Sequence, residues 1–159
     1  MKHFQAHISI LCLLLAGFAP RARAGAPVRD DIIKGPMTVR VLRVIDGDTV
    51  VVRAHVWIGQ SIDTSVRFSG MDAPEMHARC VSERAVARDA KNAVSRLLKN
   101  NRMIISDIRL GKYAGRVLAH VETTGGLDIS RYMISKALAR PYFGKHRGPW
   151  CAADGAYQP

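Results

Sequence analysis

Acidic residues are scarce in this sequence, 13 Asp and Glu against 24 Lys and Arg in 159 residues, for a formal charge of +11. Such a surplus favours a polyanionic partner, because cations that neutralise phosphates release condensed counterions. Solubility alone is the competing explanation, and charge by itself does not choose between them. Aromatic residues are also few, at 6%, and no basic amphipathic helix is visible, which argues against a protein that binds anionic polysaccharide or a membrane surface. Cysteine occurs three times and nowhere clustered, and His77, His120 and His146 follow no zinc spacing, so a zinc site is not expected. No repeat or low-complexity segment is present, and the length leaves room for one folded domain.

Long apolar runs are absent too. The longest, Ile8 to Ala19, falls well short of the roughly 20 residues needed to cross a bilayer. With Lys2 ahead of it and Ala22-Arg23-Ala24 behind it, residues 1–24 read as a secretory signal peptide. A retained anchor is the rival reading. A lipoprotein signal at Cys12 is poorly supported, since Leu11 is not small and the apolar run continues past it. Cleavage after Ala24 would remove Lys2, Arg21 and Arg23 but no acid, lowering the charge from +11 to +8. The expectation is therefore an exported protein, periplasmic or secreted, with no stable membrane association afterwards. Cys80 and Cys151 would then be the only cysteines, an even count in a compartment where disulfides persist, and they are expected to pair.

Residues 25–36 carry Gly, Pro and charge without periodicity and read as a flexible leader. Two β-branched runs follow, Met37 to Ile45 and Thr49 to Trp57, separated by the turn chemistry of Asp46-Gly47-Asp48. A third strand is expected from Thr64 to Met71, ending at Ala73-Pro74. Ser82 reads as an N-cap, and Val86, Ala90, Ala93, Val94, Leu97 and Leu98 share one face of the helix that follows. Strands at Met103 to Arg109 and Arg116 to Glu122 come next, then a helix from Asp128 to about Ala139. Five strands with an inserted helix predict an α+β, mainly β fold: a five-stranded OB-fold Greek-key barrel with two main α-helices. The folded domain is expected to span 37–143, and 144–159 is expected to be an irregular tail strapped down by Trp150 and Cys151.

Taken singly, the polar residues have ordinary explanations. Asp-Gly makes hairpin turns, Asp-Ala-Pro-Glu makes a corner, and Arg67 and Arg116 are two cations among many. Taken together they supply what phosphodiester hydrolysis needs: oxygen ligands for a hard cation, fixed positive charge, and a carboxylate to act on water. Asp48 and Asp72 would be the ligands, with the backbone carbonyl of Ala73 completing the shell. The planar fork of Arg67 suits phosphate, and Glu75 lies three residues beyond Asp72 on the same corner.

Val44-Ile45-Asp46-Gly47-Asp48-Thr49-Val50, then Arg67 with Asp72-Ala73-Pro74-Glu75, then Lys112-Tyr113-Ala114-Gly115-Arg116-Val117-Leu118-Ala119 resemble, in order, the signatures of the staphylococcal nuclease family. The resemblance covers about Val39 to Tyr142. It implies an OB-fold nuclease that needs Ca2+ and cleaves DNA and RNA to leave 3′-phosphates. Asp48, Asp72 and the Ala73 carbonyl would bind the metal, with Asp46 supporting them. Arg67 and Arg116 would hold phosphate, Glu75 would act on water, and Tyr113 would contact the nucleotide. The chain departs from the family pattern at Ala73, where Thr is common, in a longer hairpin around His55 to Asp63, in lacking a third helix, and in its cysteines. A monomer is expected. The alternative reading is a noncatalytic OB-fold module that only holds nucleic acid; three carboxylates facing an anionic ligand argue against it.

Overall fold

The computed structural model describes residues 32–152, 154–156 and 158; the segment read as a signal peptide lies outside them. Seven strands and two helices occur among the described residues. In chain order they are β1 (Met37–Val44), β2 (Thr49–Trp57), β3 (Gln60–Phe68), β4 (Gly70–Asp72), α1 (Val81–Leu97), β5 (Arg102–Leu110), β6 (Arg116–Thr123), α2 (Ile129–Ser135) and β7 (Arg140–Tyr142). Five of the strands close into a barrel in the order β1-β2-β3-β6-β5, with β1 pairing back onto β5. Every pairing is antiparallel except β3 with β6, which run parallel because α1 and β5 intervene. This is the expected five-stranded OB barrel.

Alternation along the strands explains the closure. Val39 and Val41 on β1, Val50, Val52 and Ala54 on β2, and Val66 and Phe68 on β3 point inward and are buried, as a period of two requires. Met103 and Ile105 from β5, with Ala119 and Val121 from β6, fill the remaining interior. Each fully buried aliphatic side chain contributes on the order of 1.5–3 kcal/mol, so this cluster is the main source of the fold's stability. Helix α1 adds Ala90, Ala93 and Val94 to the same core, its C-cap Leu98 joins them, and α2 adds Ile129 and Met133.

Three expectations need correction. The third strand is not a single element from Thr64 to Met71: β3 starts at Gln60, stops at Phe68, and is followed by the separate β4. Gly70 has φ +80°, a left-handed conformation that breaks the strand and sends the chain across to pair with β7. Residues 60–63 pair with β2 in a long hairpin that turns at Ile58 and Gly59, in keeping with the longer hairpin expected around His55 to Asp63. Helix α1 is capped by Cys80, whose sulfur accepts the Glu83 N–H, rather than by Ser82, whose hydroxyl donates to the Gly155 carbonyl at 2.8 Å. Asp128 caps α2 as expected, but the helix ends at Ser135, because Ala137 adopts φ +54° and the Leu138 N–H closes back onto the Met133 carbonyl.

Within the stretch read as a leader, Ile33 forms a bridge with Ile108, and Lys34 pairs with Asp107 at 3.0 Å. The tail returns over α1, where Cys151 is disulfide-bonded to Cys80 as expected. The Arg140 guanidinium lies 3.4 Å over the Trp150 ring and donates to the Pro149 carbonyl. Among the described residues no helix is long and apolar enough to cross a membrane.

Candidate functional site

The turn between β1 and β2 fixes the first group of carboxylates. Ile45 and Asp46 both donate backbone N–H to the Thr49 carbonyl, and Asp46 Oδ1 accepts the Asp48 N–H at 3.1 Å. Gly47 lets this turn lie directly on α1. A Cβ there would fall 2.7 Å from the Ala90 Cβ and 2.9 Å from the Ala73 Cβ. The Asp48 carbonyl in turn accepts the Phe68 N–H at 2.8 Å, which sets the end of β3, and so Arg67, beside Asp48.

Arg67 makes a fork onto Asp48, Nη1 to Oδ1 at 2.8 Å and Nη2 to Oδ2 at 2.7 Å, and the same Nη2 reaches Asp72 Oδ1 at 2.8 Å. Asp48 and Asp72 are both buried, at 3% and 6% exposure. Asp48 also accepts the Thr49 hydroxyl at 2.7 Å and the Ala73 N–H at 3.2 Å. Burial pushes the Asp48 carboxyl up to about 6; Arg67, Thr49 and Ala73 pull it down without overcoming that cost, and Asp46 adds to the rise. Two buried carboxylates therefore converge on the Arg67 guanidinium. An all-oxygen donor set of this kind fits a hard divalent cation such as calcium. The contact at Ala73 runs through its N–H.

In front of this wall lies a cleft of about 620 Å³, lined by Asp46, Arg67, Glu75, Tyr113, Arg116 and Arg147 among others. Arg116 enters it from the start of β6. The loop before it is held by Gly111, whose N–H donates to the Arg116 carbonyl at 2.8 Å and whose missing Cβ would clash with that oxygen. Tyr113 stands at the rim, 60% exposed, with the Arg116 guanidinium 4.8 Å from its ring centre. Glu75 is fixed through its backbone: its N–H donates to Oε1 of the buried Glu83 at 3.1 Å.

The structure thus brings Asp46, Arg67, Glu75, Tyr113 and Arg116 together around the cleft, with Asp48 and Asp72 against Arg67 and Ala73 against Asp48. Two further residues escaped the sequence reading. Glu83, in the first turn of α1, lies on the buried stripe of the helix, its Oε2 3.2 Å from the Cys151 sulfur. Cys80, Glu83 and Cys151 have ligand atoms close together, but both sulfurs are committed to the disulfide. The other is Arg147, from the stretch read as irregular tail. Its Nε meets Asp72 Oδ1 at 3.1 Å and its Nη1 meets Glu75 Oε1 at 3.2 Å. Burial opposes its charge, but Asp72, Asp48, Glu75 and the Tyr142 hydroxyl outweigh that and hold its pKa above the ordinary value. The signal that points to it in the sequence is the cysteine pairing: Cys80 is five residues past Glu75 and Cys151 four past Arg147, so the bridge brings the two segments together.

A closed five-stranded barrel with a carboxylate and arginine cleft beside its β1–β2 turn and the corner after β4 defines an OB-fold domain with a charged surface cleft. Residues 65–151 match the family model described as staphylococcal nuclease homologue, more than half of the chain, and the protein belongs to that family. No curated protein matches the chain.

Proposed function

We propose that the protein is an exported, calcium-dependent nuclease that hydrolyses phosphodiesters of DNA and RNA and leaves 3′-phosphates. The observation that carries this reading is the convergence of Asp48 and Asp72 on Arg67 at the wall of a cleft that also holds Glu75 and Arg116. Membership of the nuclease family supports it, as does the basic charge of the chain.

Asp48, Asp72 and the Ala73 carbonyl would hold the calcium ion, with Asp46 bracing Asp48 through its N–H. When bound, calcium supplies positive charge that polarises the phosphoryl group. Arg67 and Arg116 hold the phosphate oxygens and stabilise the charge that grows on them as the bond to water forms. Glu75 takes a proton from the attacking water. The water oxygen bonds to phosphorus while the bond from phosphorus to the 5′ oxygen breaks, and that oxygen leaves as a hydroxyl with a proton from solvent. Tyr113, exposed at the rim, is placed to touch the nucleotide.

End analysis of the digestion products tests the chemistry. New ends that kinase can label at the 5′ position without prior phosphatase treatment, and that carry 3′-phosphate, agree with this reading. New 5′-phosphates would overturn the direction of cleavage. N-terminal sequencing of the protein recovered from outside the cytoplasm tests export, with a mature start near Gly25 expected and retention of Met1 contradicting it.

A further inference from the structure

The tail puts one more arginine into the cleft than the proposed chemistry uses. Arg147 and Arg67 bind the same carboxylate oxygen, Asp72 Oδ1, at 3.1 and 2.8 Å. Two guanidiniums side by side repel unless an anion lies between them, and here Asp72 is that anion. Any divalent cation taken up by Asp48 and Asp72 would absorb that negative charge and leave both guanidiniums facing the next anion available. Arg67 is 11% exposed at its side chain and lies deep, whereas Arg147 is 41% exposed and lies nearer the mouth. Its fork carries five N–H donors, more than its two carboxylate partners use.

No strand or helix carries Arg147. The tail is fixed instead by the Cys80–Cys151 disulfide and the Arg140–Trp150 stack. Farther on, the Gly155 carbonyl accepts the Ser82 hydroxyl and the Gln158 N–H donates to the Trp150 carbonyl. The ring of Tyr142 lies 5.4 Å from the Arg147 guanidinium and completes its seat.

Resting on the nuclease reading above, we infer that Arg147 is a third phosphate-holding arginine, which grips the nucleic-acid strand at the cleft mouth, and that the Cys80–Cys151 disulfide holds it there. A charge-assisted hydrogen bond to phosphate is worth about 1.5–3 kcal/mol, which corresponds to a loss of roughly tenfold or more in affinity on its removal.

The affinity for a fluorescent single-stranded DNA 12-mer is measured by anisotropy with calcium present, in an Arg116→Ala background that slows cleavage. Arg147→Ala is expected to weaken binding about tenfold, and Arg147→Lys to recover part of the loss. In the otherwise native enzyme the same change is expected to raise KM more than it lowers kcat. Replacing both cysteines by serine is expected to weaken binding to a similar degree, and adding Arg147→Ala to that variant to cost little more, as two changes acting through one contact should. Unchanged affinity and KM in Arg147→Ala would overturn the inference. So would a rise in kcat/KM with tighter calcium binding by calorimetry, which would make Arg147 a plug on the metal site. Additive losses in the cysteine and Arg147 variants would overturn the dependence on the disulfide. Because binding is read separately from turnover, a protein that holds DNA but never cuts it refutes the nuclease reading and still tests Arg147.

Discussion

Asp48 is where the requirements of folding and of the proposed chemistry collide. Its carboxyl is pushed from the ordinary 3.8 up to about 6, chiefly by burial, so the native state binds its proton more tightly than the unfolded chain does. For metal-free protein this means that stability is lost as pH rises through that window, since the unfolded chain ionises first. Asp48→Asn has no such proton to lose. In chelator, its melting temperature is therefore expected to gain on the wild type as pH rises from about 4 to about 7; a constant difference would contradict the assignment. Calcium binding has the opposite sign: the ligand must be ionised, so affinity is expected to fall as pH drops through about 6. Arg67 and Arg116 face the phosphate in the proposed site, and Ala at either is expected to lower kcat by about 10²–10³-fold, whereas Asp48→Ala is expected to abolish the response to calcium. Steady-state kinetics across a calcium titration checks both, and wild-type rates in all three variants would remove the site assignment.

At the scale of elements, the site depends on close approaches that only glycine allows. Gly47→Ala would drive a methyl into Ala90 and Ala73, so the turn bearing Asp46 and Asp48 must lift off α1. Activity is expected to fall far more than the melting temperature, as a comparison of kcat/KM with thermal unfolding will show. The tail is an element by virtue of its disulfide, which closes a separation of 71 residues. Loss of that bridge is expected to cost about 4 kcal/mol in the chain-entropy model, measurable by urea unfolding with and without reductant. The barrel strands and α1 could be read from the sequence because their apolar periods of 2 and 3.6 are sustained, and the Asp48, Arg67 and Asp72 group because its residue types match one chemistry. Less legible were β4 and β7, each three residues long, with Pro141 inside β7. A pairing so short and so distant in sequence leaves no local period to detect. Arg147 was missed for a related reason: its place comes from a covalent link and a ring stack, neither of which a run of Gly, Lys, His and Arg announces.

For the whole molecule, charge and covalent staple point to the same setting. A basic chain whose cleft is flanked by Arg67, Arg116 and Arg147 should bind nucleic acid with a strong salt dependence, because each phosphate neutralised releases counterions. The logarithm of the DNA association constant is expected to fall linearly with the logarithm of salt concentration, and Arg147→Ala to make that slope shallower by about one unit. A flat salt response would mean that the basic surface serves solubility alone. The disulfide suits an oxidising compartment, in keeping with the proposed export of the chain. A carboxylate such as Asp48, held in the protein at a cost, makes little sense for a barrel that merely binds DNA.

Hydrolysis of denatured DNA by the purified, oxidised protein tests the central claim most directly, run with calcium, with magnesium and with chelator, beside Glu75→Ala. The account predicts cleavage with calcium that disappears in chelator and falls steeply in the variant. Salt-sensitive DNA binding with no cleavage under any metal would contradict it and leave a noncatalytic OB-fold module.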